Sequence, residues 1–278
     1  MTDVPAAASA DHLCWVYGED DDAFDAAVRE FLAGGVARGE RLLCVGERVI
    51  ESLDGGIAPL GDTDALIADG ALSTLTLAEA YEATGTFTPE AQFAFYDEAT
   101  RTAIADGYRG LRVVADVGGL AVDPGTRDVL IRWEHLADEY MAQGSGMSAM
   151  CTYHRGIPQA ALAAATSVHP LVHAPEAPPP FQVFFDDDRV ALVGSVDTFG
   201  ADRLARVLAS SPVSGDRAVL DLGRLEFVDV AGSRVIAHWA QDLDRRSLPL
   251  EVRGASPLLR RMWQVLGLGD VAAVRFAA

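Results

Sequence analysis

Lysine is absent from the sequence, so all 22 basic residues of this 278-residue chain are arginines. A Walker-type phosphate loop, a Schiff base with a carbonyl substrate and pyridoxal chemistry each depend on a lysine amine. The absence therefore argues against these classes of enzyme before any motif is considered.

Cysteine and positive charge are scarce as well. The three cysteines, Cys14, Cys44 and Cys151, are far apart and form no C-x-x-C pair, which favours free thiols in a reducing cytoplasm.

The net charge of −19 opposes binding to nucleic acid or an anionic membrane, because phosphate groups need a basic surface. No apolar run approaches the roughly 18 residues of a membrane helix, and the N-terminus lacks the basic start of a secretory signal. We therefore expect a cytoplasmic protein with no nucleic-acid or membrane partner.

A proline-rich segment, "HAPEAPPP" at residues 173–180, divides the chain. Four prolines in eight residues cannot continue a helix or a central strand, and they favour an extended linker. The segment separates a predicted first domain over 12–172 from a predicted second domain over 181–278. The alanine-rich start of the chain predicts a flexible tail over 1–11. Apolar residues near the linker could support a homodimer.

In the first domain, apolar runs alternate with helical patterns. Strands are predicted over 12–17, 41–46, 72–77, 111–116 and 147–153, and helices over 22–38, 63–68, 89–106, 127–143 and 158–165. Strands with few polar interruptions, separated by helices, are typical of a parallel sheet covered on both faces. The fold class is therefore doubly wound α/β, with ligands bound beyond the carboxyl ends of the strands.

The second domain is also predicted to be α/β. It opens with "FQVFFDDDRVALVGS", two strands around an aspartate turn, which is typical of an antiparallel hairpin. Three helices are predicted, over 199–210, from the residues after Asp229 to 244, and over 257–266. Three further strands are predicted over 217–222, 248–252 and 271–276.

The segment "DLGRLEFVDVAGSRVIAHW" predicts a strand that ends at Asp229 and is followed at once by a helix. The first turn of a helix presents free N–H groups and the positive end of the dipole, which suit an anion. Val230 and Ala231 stand there without a hydroxyl, Asp229 is the expected N-cap, and Ser233 lies about 200° further round the helix. The joint is either a silent connection or a binding surface that phosphate does not regulate.

Three segments of the second domain resemble a STAS domain, the fold of anti-sigma-factor antagonists and sulfate-transporter tails. They are "VALVGSVDTFGADRLARVL", "AVLDLGRLEFVDVAGSRVIAHWAQ" and "LEVRGASPLLRRMWQVLGLGDV", with Gly194, Asp197, Asp229 and Gly232 in register. In the antagonists a kinase phosphorylates a serine or threonine just before the joint glycine, where this chain has Ala231. The resemblance implies an anti-sigma factor or related regulatory protein as partner, bound at Asp197, Asp229, Val230, Ala231 and Gly232.

Six segments of the first domain resemble the MEDS-type sensory domain of methanogen and methylotroph regulators. They are "DHLCWVYGEDDDAFDAAVREFLAGGVARGERLLCVG", "DGALSTLTLAEAYEATGTFTP", "GYRGLRVVADVGG", "WEHLADEYM", "MSAMCTYHR" and "VHPLV". The resemblance covers about residues 11–173 and implies small-molecule sensing and a fold related to RecA-like ATPase domains. However, the turn "YGEDDDAF" has one glycine, four consecutive acidic residues and no lysine, so it would repel a triphosphate.

A ligand pocket near the strand ends is the candidate site of the first domain. Its predicted polar residues are Tyr17, Glu40, Arg112, Asp116, Glu134 and Tyr153. Arg112 and Asp116 are favoured because they share a strand face, and we expect them to bracket the C-terminal end of that strand.

Metal and nucleophile chemistry have weaker support. His12, Cys14, Cys151 and His154 could converge as a zinc-like set if their strands are neighbours, but without C-x-x-C spacing no metal is assigned. There is no G-x-S-x-G nucleophile elbow, so we expect no catalytic residue and no cofactor.

The sequence thus predicts a regulator in which a sensory domain controls a STAS domain. An enzyme or cofactor-binding protein that uses the N-terminal cleft is the alternative.

Overall fold

The computed structural model describes residues 11–19, 22–53, 59–85, 87–176, 178–186, 189–213 and 215–277. Most of the predicted tail lies outside these ranges. So do two acidic residues of the turn after the first strand, at 20 and 21, and the tip of the predicted hairpin at 187–188.

The first sheet contains six parallel strands in the described part of the chain. They are β1 (His12–Tyr17), β2 (Arg41–Val45), β3 (Leu72–Leu75), β4 (Leu111–Asp116), β5 (Met147–His154) and β6 (Leu171–His173). Their order across the sheet is β3-β2-β4-β5-β1-β6, and each pairing is parallel. The predicted parallel α/β fold is thereby confirmed.

Helices cover both faces of this sheet. They are α1 (Asp22–Arg38), α2 (Glu47–Glu51), α3 (Thr63–Ala68), α4 (Leu77–Thr84), α5 (Pro89–Ala105), α6 (Gly118–Val122), α7 (Pro124–Ala142) and α8 (Gln159–Thr166). Successive strand residues point to opposite faces, so Leu42 and Cys44 join the core under α1 while Leu43 and Val45 join the core under α5 and α7. Burial on both faces explains why the strands read as continuous apolar runs.

Local capping explains where the predicted boundaries were wrong. The predicted strand 72–77 ends at Leu75, because the Thr76 side chain and Glu79 form a capping box that starts α4. Helix α7 begins at Pro124 rather than 127, since Asp123 caps it and proline occupies its first position. The short elements α2, α4, α6 and β6 were not predicted.

The second sheet is mixed. Its strands are β7 (Phe181–Asp186), β8 (Arg189–Val196), β9 (Ala218–Asp221), β10 (Leu225–Val228), β11 (Leu250–Arg253) and β12 (Val274–Phe276). Strand order is β10-β8-β9-β11-β12, and β7 pairs with β8 as the predicted antiparallel hairpin. Its helices are α9 (Ala201–Ala209), α10 (Val230–Arg245) and α11 (Pro257–Val265).

The strand predicted to end at Asp229 is β10, and a tight turn, in which the Asp221 carboxylate accepts from the backbone N–H of Gly223, separates it from β9. The predicted last strand begins only at Val274, since a 3-10 turn occupies Leu268–Asp270.

The two domains share a hydrophobic cluster through helices α7 and α8 of the first domain. Ile131 of α7 and Ala164 of α8 lie in the same buried cluster as the apolar residues of β7, β8 and α9. The backbone N–H of Val183 donates to the carbonyl of Ser167 across this contact at 2.8 Å. The proline-rich segment therefore connects two units that pack directly against each other.

Two neighbouring glycines of α1 test the packing of this helix on the sheet. A Cβ at Gly35 would lie 2.7 Å from Cδ of Arg112 and 2.7 Å from Cδ2 of Leu42, and Glu40 holds Arg112 in place. A Cβ at Gly34 would meet no heavy atom of the described residues within 4 Å. We expect Gly34→Ala to raise the free energy of unfolding by about 0.5–1 kcal/mol. We expect Gly35→Ala to lower it by about 1–3 kcal/mol. Urea denaturation measures both, and equal effects would contradict this packing.

Candidate functional site

The six residues predicted to line one pocket form three separate pairs. They are Tyr17 with Asp116, Arg112 with Glu40, and Tyr153 with Glu134. The structure thus brings each residue to a partner but does not bring all six together.

Tyr17 and Asp116 lie at the carboxyl ends of β1 and β4. The Tyr17 hydroxyl donates to Oδ2 of Asp116 at 2.9 Å. Burial and the neighbouring Asp116 charge raise the pKa of Tyr17, and burial also raises the pKa of Asp116. The buried phenol therefore stays protonated and holds the carboxyl group in place.

A pocket of about 330 Å³ adjoins Tyr17 at this edge of the sheet. Apolar side chains such as Leu162 of α8 form part of its wall, and the Arg155 guanidinium, paired with Glu176 at 3.2 Å, supplies a cation. Ligands of doubly wound folds bind at this edge. The pocket suits a small molecule with an apolar body and a polar or anionic end.

Arg112 and Glu40 lie at the opposite edge of the sheet. Arg112 is the second residue of β4, and its Nε donates to Oε2 of Glu40 at 2.6 Å while the guanidinium covers the Phe31 ring. Asp116 is four residues further on, roughly 13 Å along the strand. The expectation that Arg112 brackets the C-terminal end of β4 was therefore wrong.

Glu134 of α7 is the centre of a buried polar cluster. Its Oε2 is 3.3 Å from Nε2 of His12, 3.5 Å from Nε2 of His169 and 3.4 Å from Sγ of Cys151. Its Oε1 accepts from the hydroxyl of Tyr153 at 2.7 Å. We call His12, Glu134, Cys151 and His169 the buried tetrad; each of the four is buried.

Burial and neighbouring charges shift the pKa values of three residues of the tetrad. Burial alone would raise the pKa of Glu134, but the charges of His169 and His12 and the hydrogen bond with His12 lower it well below its usual range. Burial opposes protonation of His12, yet hydrogen bonds with Asp138 and Glu134 raise its pKa to about 9. For Cys151, burial and the Glu134 charge raise the pKa of the thiol.

The predicted zinc-like set is only partly assembled. Strands β1 and β5 are neighbours, and Cys14 lies opposite Cys151. His154 instead ends β5, where its Nδ1 accepts from the backbone N–H of Gly156 at 3.1 Å. The second imidazole of the tetrad comes from His169, which precedes β6. Sequence reasoning missed this residue because only the tertiary fold places it there.

The strand-to-helix joint is built as expected. Asp229 caps α10: its Oδ1 accepts from the backbone N–H of Gly232 at 2.9 Å, and its Oδ2 from the Thr198 hydroxyl at 2.6 Å. Ser233 is fully buried and donates to the Asp229 carbonyl, so it faces away from the surface. Ala231 is half-buried and offers no hydroxyl.

Backbone geometry explains the other residues of the predicted joint. A Cβ at Gly232 would lie 2.8 Å from Val228 and 2.9 Å from Val196, so glycine permits the close approach of helix and strands. The Asp197 carboxylate accepts from the backbone N–H of Gly200 and fixes the turn before α9. Asp197 therefore shapes the loop beside the joint.

Exposed apolar side chains surround this joint and were not foreseen. Phe199 is 92% exposed, Leu258 70%, Phe227 50% and Val230 38%. The Thr198–Asp229 hydrogen bond anchors the loop carrying Phe199 to the joint, and Phe227 and Leu258 line one shallow pocket. We call these four residues the joint patch. Clustered exposed apolar groups of this kind mark interaction surfaces.

Comparison with known proteins assigns both domains. The model of the MEDS family, the methanogen/methylotroph, DcmR sensory domain, matches residues 11–170, and a STAS model described as "Mlab, STAS domain" matches residues 182–275. The chain therefore combines a domain of a sensory family with a STAS domain. The chain belongs to the MEDS family and carries a STAS domain after its sensory domain.

Solved structures similar to part of this chain include a regulatory protein of known fold. It is the anti-sigma factor antagonist SpoIIAA in its unphosphorylated form, with 19% identity over 35% of this chain and 88% of that chain, and a TM-score of 0.28. No curated protein matches this chain. Within the ranges that the structure describes, no helix combines the length and apolar character needed to cross a membrane.

The Asp229 cap predicts a defined pH dependence. Partial desolvation opposes ionisation, but hydrogen bonds from Thr198 and the Gly232 backbone lower the pKa of Asp229 in the folded protein. The resulting stability is present above the unfolded pKa of about 4 and is lost as the pH falls through the folded pKa. We expect the stability advantage of the wild type over Asp229→Asn to shrink below about pH 4. Urea denaturation at several pH values measures the stability difference between the two proteins, and a difference that does not change with pH would contradict this prediction.

Removal of the cap by Asp229→Ala should lower the free energy of unfolding by about 1 kcal/mol at neutral pH, which urea denaturation also measures.

Proposed function

We propose that this chain is a cytoplasmic regulator whose first domain binds a small molecule and thereby controls the binding of a regulatory protein, such as an anti-sigma factor, to the STAS domain. The joint patch carries this proposal. It presents apolar side chains in water around a helix N-terminus that has no phosphate acceptor at Ala231.

The exposed apolar side chains of the joint patch would be stabilised if a partner covered them. A phenylalanine as exposed as Phe199 gains nothing from folding, whereas burying it against a partner would release its apolar surface from water. Aromatic anchors of this kind dominate the energy of protein interfaces. Because Ala231 cannot accept a phosphate, control of this surface requires another input.

Helix α8 provides a physical connection for that input. Leu162 lines the 330 Å³ pocket, while Ala164, two residues later, lies in the core shared with the second domain. Arg203 of α9 completes the connection: its Nη1 donates to the Ser167 hydroxyl at 3.5 Å and its guanidinium covers the Phe181 ring. Since α9 follows the loop of Phe199, a ligand that shifts α8 would move an element adjoining the joint patch.

The partner surface is tested by Phe199→Ala in the full chain. The wild-type protein is used as bait in extracts of the cells that produce it, the captured protein is identified by mass spectrometry, and its purified form is titrated calorimetrically. We expect at least about tenfold weaker binding with unchanged thermal stability, because a lost aromatic anchor costs about 1–2 kcal/mol or more. The matched control is Phe93→Ala, another exposed phenylalanine but on α5 of the first domain. Equal affinities of wild type and Phe199→Ala would place the interface elsewhere.

The control by ligand is tested by blocking the pocket. Ala23 lies exposed on α1 at the pocket, and Ala26 lies exposed on the same helix but does not line it. Short-chain alcohols, aldehydes and carboxylates are screened for a rise in the melting temperature of the wild type. We expect a stabilising compound to change partner affinity, Ala23→Trp to abolish both effects, and Ala26→Trp to retain them.

Two results would count against this control. A compound that still stabilises Ala23→Trp binds outside the pocket. A compound that stabilises the wild type through the pocket without altering partner affinity would show that the pocket does not control the STAS domain.

A further inference from the structure

Four of the six donor–donor distances in the buried tetrad are close to those of a tetrahedral metal site. Zinc bonds of about 2.0–2.1 Å to nitrogen or oxygen and about 2.3 Å to sulfur place neighbouring donor atoms about 3.3–3.6 Å apart in a tetrahedron. The Glu134 carboxylate oxygen lies 3.3, 3.5 and 3.4 Å from the donors of His12, His169 and Cys151. Sγ of Cys151 is 3.7 Å from Nε2 of His12, and all four donor atoms lie within 4.8 Å of one another.

Both imidazoles are held with Nε2 facing the centre of the tetrad. Nδ1 of His169 is 2.8 Å from the carbonyl oxygen of Ala165, which can only accept, so Nδ1 carries the proton. Nδ1 of His12 is 3.3 Å from the Asp138 carboxylate. A carbonyl or carboxylate behind each imidazole is the usual support of a metal-ligating histidine, and it leaves the Nε2 lone pair free.

This arrangement creates a conflict that a cation resolves. With both rings neutral, as they are when they bind a metal, two Nε2 lone pairs would face the same oxygen of Glu134. Nε2 of His169 has no hydrogen-bond partner among the described residues although the ring is fully buried. An unpaired buried group of this kind is costly. A divalent cation between the donors would turn each repulsive contact into a bond, as would a proton on each imidazole.

We propose that His12, Glu134, Cys151 and His169 bind a Zn²⁺ ion in a closed, tetrahedral site. The mixture of thiolate, imidazole and carboxylate donors suits this borderline-soft ion. The oxygen of Glu134 lies 3.3–3.5 Å from each of the other three donors, which places it at the centre of the set and not at the long axial position of a blue-copper centre. Four buried protein ligands leave no open position, which is typical of a structural site.

The ion would connect elements that are far apart in sequence. His12 begins β1, Glu134 lies on α7, Cys151 lies on β5, and His169 precedes β6. Two of these positions adjoin the second domain: His135, next to Glu134, packs on Phe185 with ring centroids 3.8 Å apart, and Gln182 donates to the His169 carbonyl. The site would thus fix the part of the first domain that holds the STAS domain, independently of the small-molecule pocket.

The site is tested by cobalt substitution in the full chain. Protein stripped with a chelator is titrated with Co²⁺ and then with Zn²⁺. We expect one Co²⁺ per chain, with the visible bands of a tetrahedral ion and a thiolate-to-cobalt charge-transfer band that Zn²⁺ abolishes. The melting temperature should rise with either metal, because binding to the folded state stabilises it.

Cysteine and histidine variants identify the ligands. Cys151→Ser should abolish the charge-transfer band and weaken metal binding at least about tenfold. Cys44→Ser is the matched control, since this buried thiol lies on β2, on the opposite face of the sheet. Cys14→Ser and His154→Gln should also retain the band, because neither residue belongs to the tetrad.

X-ray absorption of the zinc-loaded wild type keeps the test independent of how the variants fold. We expect one sulfur and three nitrogen or oxygen ligands, as in the tetrad. No metal binding by the stripped wild type, a shell with two sulfurs or none, or loss of the band only in Cys14→Ser or His154→Gln would overturn the proposal. Absence of binding would identify a protonated cluster instead. None of these results depends on the partner or the small-molecule ligand.

Discussion

The hydrophobic cluster that helices α7 and α8 share with the second domain is the packing on which the rest of the structure depends. Helix α8, with the sequence "QAALAAAT", is buried on two sides. Ala161, Leu162 and Ala165 pack into the first domain, while Ala164 packs into the second. Small side chains let one helix approach both layers closely, and apolar burial is the main favourable term in folding. Neither layer can therefore move relative to the other without exposing apolar surface of α8.

An all-arginine set of cations fits the way charge is placed in the first domain. The Arg112 guanidinium is buried between Glu40 and the Phe31 ring, and the Arg48 guanidinium lies over Phe24. A planar, weakly hydrated guanidinium can hydrogen-bond in its plane and stack on an aromatic ring, whereas an ammonium is a strongly hydrated point charge. The missing lysine thus excludes certain chemistries, and the arginines that replace it hold α1 and its neighbours against the sheet.

Local signals predicted much of the fold, and tertiary contacts account for the rest. The bounds of β1, β4, α1 and α3 agree with the sequence because a strong apolar pattern lies between clear breaks. The Asp229 cap was predictable too, since its partners lie within one helical turn. In contrast, Phe199 was predicted to begin a helix, but it lies exposed in the loop fixed by Asp197, and α9 begins only at Ala201. His169 reaches Glu134 only after α8 has packed, so no local spacing could identify it.

The position of the tetrad gives its charge a structural consequence. Glu134 and Asp138 are both buried on α7, and burying an uncompensated carboxylate costs several kcal/mol. Between them on the same helix, His135 packs on Phe185 of the second domain. His12 lies 3.3 Å from a carboxylate oxygen of both Glu134 and Asp138, so positive charge at this ring compensates both carboxylates. Helix α7 therefore carries both the buried carboxylates of the first domain and a direct contact with the STAS domain.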